Sequence, residues 1–295
     1  MQEGTIVGDT VRLLYSVFKL RIGVAIMLTA LAGLAVTPGA RPAVWQIAVL
    51  ALAVLLSSAS AGAFNHYVER DLDARMQRTR GRPFVTGRFQ ANGAWLTAIA
   101  LLLVVPVTAA ALVVNPLSAL YVFLGAFVYG VVYTVWLKRR TWLNIVLGGL
   151  AGSFAVLAGG AAVDPGLAPA PLILALVLFL WTPPHFWSLA LVYQRDYAAA
   201  GVPMLPVVVG APTAARVILA HTALLVTLSL LPAAFGLGWI YVIGAATGGA
   251  YFLRASLRLA RDPTPKAAIA NFHASLAQLG LLLAGALLNA WVAAP

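Results

Sequence analysis

The chain has 295 residues, of which 62% are hydrophobic and 9% charged, with a mean hydropathy of +0.94; soluble domains run at about 45–50% and about 25%, so it reads as an integral membrane protein. It contains no cysteine, which excludes disulfides, thiolate metal sites and cysteine nucleophiles. The net charge of +11 fits the basic marking of cytoplasmic loops, and no nucleic-acid partner is expected.

Glu3 and Asp9 precede the first apolar run and no small-residue cleavage site stands out, so neither a signal peptide nor a transit peptide is read there. Nine apolar runs approach the roughly 20 residues that a bilayer crossing needs: 20–37, 44–64, 93–113, 117–137, 142–162, 171–191, 215–234, 238–254 and 272–292. The connections alternate. TPGARPA, VVNPLS, VDPGLAPAP and LPAAFGLG are short Pro/Gly turns, whereas 65–92, 138–141, 192–214 and 255–271 are charged. Arg41 lies in one of the short turns; the other basic residues lie at the N-terminus or in or beside the charged connections. This asymmetry predicts a cytoplasmic N-terminus, an outer C-terminus and one domain over 1–295, an all-α bundle around a cavity open to the cytoplasm. No Asp, Glu, Lys or Arg falls near the middle of a run, which argues against ion-coupled transport.

The second run continues into FNHYVERDLDAR (64–75). On a helix, Asn65, Glu69 and Asp73 share a face, His66 lies within the same arc, and Asp71 points away. Two carboxylates and an amide oxygen in a row suit Mg²⁺, which takes one or two carboxylates and completes its shell with water and phosphate oxygens. Arg75, Arg78, Arg80 and Arg82 follow, and arginine is the residue for phosphate recognition. A generic cytoplasmic loop could carry these charges as a solvated face; the four-residue spacing followed by MQRTRGRP favours a Mg²⁺–diphosphate site. Lys138, Arg139 and Arg140 fill a very short inner turn. In the sixth run, Pro183 and Pro184 each remove a helix donor, and WTPPHFW is expected to be a kinked cavity wall. His185 and Asp196 are eleven residues apart and would share a face if the helix resumes after the prolines. Asp196 is then a candidate to oppose Glu69 and Asp73.

The first stretch resembles the first aspartate-rich motif of the UbiA superfamily of intramembrane prenyltransferases. More narrowly, N-x-Y-x-x-R-D-x-D-x-x-M-x-R-T-x-x-R-P, YTVWLKRRTWLNIVLGGLAG (133–152) and WTPPHFWSLALVYQRDYAAAGVPMLPVVVG (181–210) are similar to its haem-modifying branch, over nearly the whole chain. This chain has Glu69 and His66 where most of the superfamily has Asp, and only Asp196 from the second acidic motif. It also has AVLAGG after AGSF (151–154), where a Pro pair is frequent, which leaves the bend of the fifth helix open.

The resemblance implies a bacterial inner-membrane enzyme that transfers a farnesyl group from farnesyl diphosphate to a vinyl group of haem B, water then adding to give haem O. Asn65, Glu69, Asp73 and Asp196 are the expected Mg²⁺ ligands and catalytic groups. Arg75, Arg78, Arg82, Lys138 and Arg139 are expected on the diphosphate, and Arg140 as a topology residue. His66, His185, Trp181 and Tyr197 are expected beside the acceptor. His185 could ligate iron, hydrogen-bond a propionate or cap the kink. A haem A synthase or terminal oxidase is an implied partner. Alternatives are a related enzyme acting on 4-hydroxybenzoate, naphthoate or chlorophyllide, from which WTPPHFW and DYAAAGVPMLP set this chain apart, and a haem carrier or transporter, which would not need opposed acidic clusters.

Overall fold

The computed structural model describes the backbone of residues 2–292 and the surroundings of residues 9–292; Met1 and 293–295, the ends of the expected domain, lie outside the described residues. Among these the chain is helical, with no strands. In order come α1 (Gln2–Val17), α2 (Leu20–Val36), α3 (Val44–Val68), α4 (Arg70–Asp73), α5 (Gly93–Val113) and α6 (Pro116–Phe127). A π-helical segment, Val128–Leu137, extends α6. Then follow α7 (Asn144–Gly148), α8 (Leu150–Val163), α9 (Pro169–Val192), α10 (Gln194–Ala199), α11 (Leu205–Leu230), a 3₁₀ turn (Leu231–Phe235), α12 (Trp239–Arg261) and α13 (Pro265–Val292).

Each of the nine apolar runs falls on helix. By length and apolarity, however, seven of the described helices qualify as membrane spans, or eight if α1 and α2, bent by 46° at Lys19, count as one. The expected nine is not reached by that measure. Glycines, tyrosines and Arg254 dilute the apolar character of α12, which nevertheless packs extensively on α13 and α11. The chain is a multi-pass membrane protein. On α5, Leu101, Val104, Val105 and Leu112 are 55–83% exposed, a lipid-facing surface that water would not tolerate as one patch.

The short turns are built from local chemistry. Asn92 Oδ1 accepts from Trp95 N at the start of α5, and Asn115 Oδ1 from Ser118 N at the start of α6, with Pro116 in the first turn. The four charged connections converge. Leu72, Met76, Ile145, Tyr197, Met204, Leu259 and Ala268 belong to one buried cluster, so residues from every charged connection or its flanking turn lie at one end of the bundle.

In a bilayer, helices associate through close packing rather than water release, and small residues permit it. At the crossing of α2 and α8, a Cβ on Gly159 would lie 1.8 Å from Ala30 O, and one on Gly33 would lie 2.1 Å from Val156 O. These backbones touch only because both positions lack side chains. Gly159→Leu should therefore force the pair apart and lower stability by at least about 1–3 kcal/mol, measured as a fall in Tm of the purified protein in detergent.

Two expectations about helix continuity change. Pro183 and Pro184 do not interrupt α9, which runs unbroken over 24 residues. Thr182 Oγ1 donates to Leu178 O and Ser188 Oγ to Pro184 O, and neighbouring helices enclose the segment, which is how intramembrane prolines are accommodated. The break comes instead at Tyr193 (φ −106°, ψ 28°), where α9 gives way to α10. His185 and Asp196 thus stand on successive helices, α9 and α10. The fifth span, left open by AVLAGG, is divided at Gly149 between α7 and α8. A Cβ there would press on Phe179 O (3.2 Å) and Thr182 Cβ (3.1 Å) of α9.

Candidate active site

The last turns of α3 place the acidic face. Glu69 sits where the helix ends, with ψ swinging to 8°. The four-residue rhythm nevertheless persists, because Glu69 N donates to Asn65 O (3.0 Å) and Asp73 N to Glu69 O (2.8 Å). Asn65, Glu69 and Asp73 therefore share a face, each no more than 2% exposed. Asp71, on the other face, has a side chain 53% exposed.

Buried carboxylates need countercharge, and three parts of the chain bring cations to this face. The loop after α4 doubles back. Thr79 Oγ1 donates to Asp73 O (3.0 Å), and Arg82 Nη1 reaches Asp73 Oδ2 at 2.6 Å. The loop is pinned by Phe84, which meets Tyr67 and Trp95 edge-on with centroids 5.6 and 5.1 Å apart. The π-helical segment ends at Lys138, whose Nζ lies 2.5 Å from Glu69 Oε2. Its register is that of an i→i−5 turn: Lys138 N donates to Tyr133 O (3.0 Å) and Thr134 Oγ1 to Tyr129 O (2.9 Å). The π turn points Thr134 at Asn65, whose Nδ2 it accepts at 3.1 Å. Such insertions recur at functional sites.

The third cation was not visible in the sequence. Lys19 looks like a topology residue, yet at the α1–α2 bend (φ 49°) its Nζ donates to Asn65 Oδ1 (2.7 Å) and Tyr129 OH (2.9 Å). Gly62 packs beside its stem: a Cβ there would meet three of its side-chain carbons at 3.4 Å, an ordinary contact distance. Tyr129, Thr134 and Asn144 also escape sequence reading. Asn144 Nδ2 donates to Thr141 O at 2.6 Å and holds the turn that carries Lys138.

Each carboxylate spends one oxygen on its cation. The other, Glu69 Oε1 or Asp73 Oδ1, is fully buried with no hydrogen-bond partner. Leaving such an acceptor bare costs about 1–3 kcal/mol or more. Two bare hard oxygens, one helical turn apart, are the donor set that a divalent cation takes, and the residues present therefore fit Mg²⁺. Burial pushes the Asp73 carboxyl up, against the pull of Arg82. The hydrogen bonds from Arg139 hold Asp71 below the usual carboxylate range.

The remaining expected residues are distributed unevenly. Arg78 and Arg82 line a cavity of about 370 Å³ with Ser16 and Thr79. Arg78 Nη2 donates to Tyr197 OH (3.2 Å) and its guanidinium lies 5.2 Å from the Tyr193 ring centroid. That contact puts Tyr197, expected beside the acceptor, on the basic side. Arg75 is exposed. Arg139 is held outward by a two-pronged bond to Asp71 (2.9 and 2.8 Å). Asp196 is half-buried on α10. Among the described residues no three His, Asp or Glu side chains form a metal-binding group, so Asp196 does not join Glu69 and Asp73 in one.

His66 is 3% exposed, with Nδ1 unpartnered. His185 stacks between Trp181 and Phe272, centroids 4.2 and 4.5 Å apart, with Nδ1 2.7 Å from Ser275 Oγ. Trp181 Nε1 donates to Ser275 O at 3.0 Å. Both rings are thereby fixed to α13. About one turn nearer the charged end, Asn271 Nδ2 donates to Ser188 Oγ, and Ser256 Oγ to Asn271 Oδ1, a polar link between α9, α12 and α13.

The family model for the UbiA prenyltransferase family matches residues 26–279. This chain belongs to the UbiA prenyltransferase family. It is 60% identical over 272 residues to "Protoheme IX farnesyltransferase 2" of Paramagnetospirillum magneticum, covering 92% of this chain and 94% of that one. It is 40% identical over 281 residues to "Protoheme IX farnesyltransferase" of Thioalkalivibrio sulfidiphilus, covering 94% and 92%. Its UbiA fold is matched by a structure of digeranylgeranylglyceryl phosphate synthase (TM-score 0.77, 17% identity, 96% of this chain and 99% of that one). It is also matched by a UbiA homolog from Archaeoglobus fulgidus bound to DMAPP and Mg²⁺ (TM-score 0.72, 17% identity, 91% and 98%).

Proposed function

We propose that this UbiA-family enzyme transfers the farnesyl group of farnesyl diphosphate to a vinyl group of haem B, giving haem O, in the bacterial inner membrane with the charged end of the bundle cytoplasmic. The acceptor rests on the 60% identity, over 92% of the chain, to a relative named for that reaction. The donor site rests on the two bare carboxylate oxygens of Glu69 and Asp73 among cations.

Glu69 and Asp73 would hold Mg²⁺ through those oxygens, with Asn65 on the same face; Asp196 on α10 is assigned to the site by the family resemblance and not by its position. The metal supplies charge neutralisation for the diphosphate as it leaves. Lys138, Arg82, Arg78 and Lys19 surround the same space, and preorganised cations of this kind favour the charge that grows on the leaving oxygen. The allylic C–O bond breaks with its electron pair passing to the diphosphate. The vinyl π pair forms the new C–C bond, and the resulting cation beside the porphyrin takes water and releases a proton. Trp181 and His185 give the acceptor side a rigid aromatic wall, and a bundle interior shut off from bulk water protects the allylic cation. The onward partner is a haem-modifying or haem-inserting oxidase system of the same membrane.

The test is purified protein in nanodiscs with farnesyl diphosphate, haem B and Mg²⁺, read by mass spectrometry. Haem O should form, and 4-hydroxybenzoate offered as sole acceptor should stay unchanged; efficient conversion of the latter would overturn the haem assignment. Asp196→Asn is expected to lower product formation by about 10–100-fold with an unchanged melting curve in the absence of Mg²⁺. Full turnover in that variant removes Asp196 from the site.

A further inference from the structure

A second strongly basic cavity, which shares no lining residue with the one at Arg78 and Arg82, lies where α12 ends and α13 begins. It has a volume of about 650 Å³ and is lined by Arg254, Arg258, Arg261 and Lys266, with Thr264 and the single acid Asp262. Among the described residues none of these four cations forms an ion pair. Asp262 instead accepts from Thr264 Oγ1 at 3.4 Å. Four cations without partners facing one cavity repel each other, and an anion between them relieves that cost. The first turn of the 28-residue helix α13 opens into the same space, and its dipole adds to the attraction for negative charge.

The side of α12 above the cavity is apolar apart from Thr247. At 100° per residue, Ile243, Tyr251, Arg254, Arg258 and Arg261 fall within an arc of about 80°. Ile243 and Tyr251 are 55% and 54% exposed. The strip therefore runs from exposed apolar side chains, through Tyr251, to a cluster of arginines. This is the order of an acyl chain, a glycerol backbone and an anionic headgroup. Basic pockets between membrane helices on the cytoplasmic side recognise acidic lipids on these grounds.

We infer that the α12–α13 cavity is a binding site for the phosphate headgroup of an acidic membrane phospholipid, distinct from the prenyl diphosphate site. Arg254, Arg258 and Arg261 grip the phosphate oxygens, Lys266 and the start of α13 close the far side, and the acyl chain lies along Tyr251 and Ile243. The bound lipid ties α12 to α13.

The experiment compares protein in phosphatidylcholine nanodiscs with protein in nanodiscs of phosphatidylcholine and phosphatidylglycerol. It reads lipid retention by native mass spectrometry after release, and Tm. The wild type should retain phosphatidylglycerol selectively and melt higher in its presence. Arg254→Gln/Arg258→Gln/Arg261→Gln should lose that retention, with apparent affinity falling on the order of 100-fold. The charge-matched Arg88→Gln/Arg140→Gln/Arg216→Gln should keep it. Lys266→Gln serves as a milder variant and should lose part of the retention. Equal loss in both triple variants would reduce the effect to bulk charge and overturn the site. A Tm gain of the same size from inorganic phosphate in pure phosphatidylcholine would overturn the lipid assignment in favour of a soluble anion.

Discussion

Asp73→Asn and Glu69→Gln should each cut haem O formation by about 10²–10³-fold or more, the scale on which removing one preorganised electrostatic group acts. Both substitutions are near-isosteric, and both side chains are 1% exposed, so packing survives and the change is one of charge and ligation. Each variant replaces a carboxylate that holds one oxygen on a cation and leaves one bare. An amide offers a neutral oxygen where the metal needs an anionic one. Two readouts check this: product by mass spectrometry at matched membrane levels of protein, and the rise in Tm on adding Mg²⁺ with inorganic diphosphate. Wild type should show the rise and the variants should not. Wild-type turnover in both variants would mean that the bare oxygens have another purpose and that the metal sits elsewhere.

Lys138→Met is the second large effect, and it falls on stability as well as activity. Glu69 would keep its buried charge and lose the ammonium 2.5 Å away. Removing one partner of a buried ion pair costs about 3–5 kcal/mol, because the remaining charge is stranded. Adding Glu69→Gln to Lys138→Met should then recover most of that loss, since no stranded charge is left, while activity stays absent. Denaturation of the purified proteins in detergent without Mg²⁺ gives the comparison. If the double variant is no more stable than Lys138→Met, the single-site loss comes from packing of the lysine stem and not from charge. The pair Asp71–Arg139 is the counterexample in the same molecule. Its side chains are 53% and 45% exposed, and a pair so open to water is worth about 0–1 kcal/mol.

How far the site could be read in advance depended on whether the backbone stayed regular. Asn65, Glu69 and Asp73 were legible as one face because i→i−4 bonding persists through the end of α3, even though helix geometry lapses at Glu69. Helical periodicity is a local property, and it projects correctly wherever the hydrogen-bond ladder continues. Along α9 the double proline, the more conspicuous feature, does not interrupt the helix; the turn at Tyr193 ends it and starts α10, although Tyr193 N still donates to Leu189 O and Tyr197 N to Tyr193 O. Lys19 is the clearest omission. In VFKLRIG it looks like a juxtamembrane charge, and only the bend at φ 49° shows it turned to Asn65.

The sequence by itself determined the solvent, the family and the charged end. Its apolarity demands a bilayer, its motif spacing carries the UbiA resemblance, and its basic residues gather in alternate connections. These are sums or local periods along the chain, and they need no knowledge of what packs on what. The tertiary structure alone decided which cation answers which residue of the acidic face: Arg82 the Asp73 carboxylate, Lys138 the Glu69 carboxylate, Lys19 the Asn65 amide oxygen. It also decided that one oxygen on each acid is left bare, and that Arg139 turns outward to Asp71. Pairings across 46 and 69 residues depend on helix crossings, a π-helical register and a folded-back loop. Each of these follows from long-range packing, to which a charged residue's immediate neighbours in the chain give no clue.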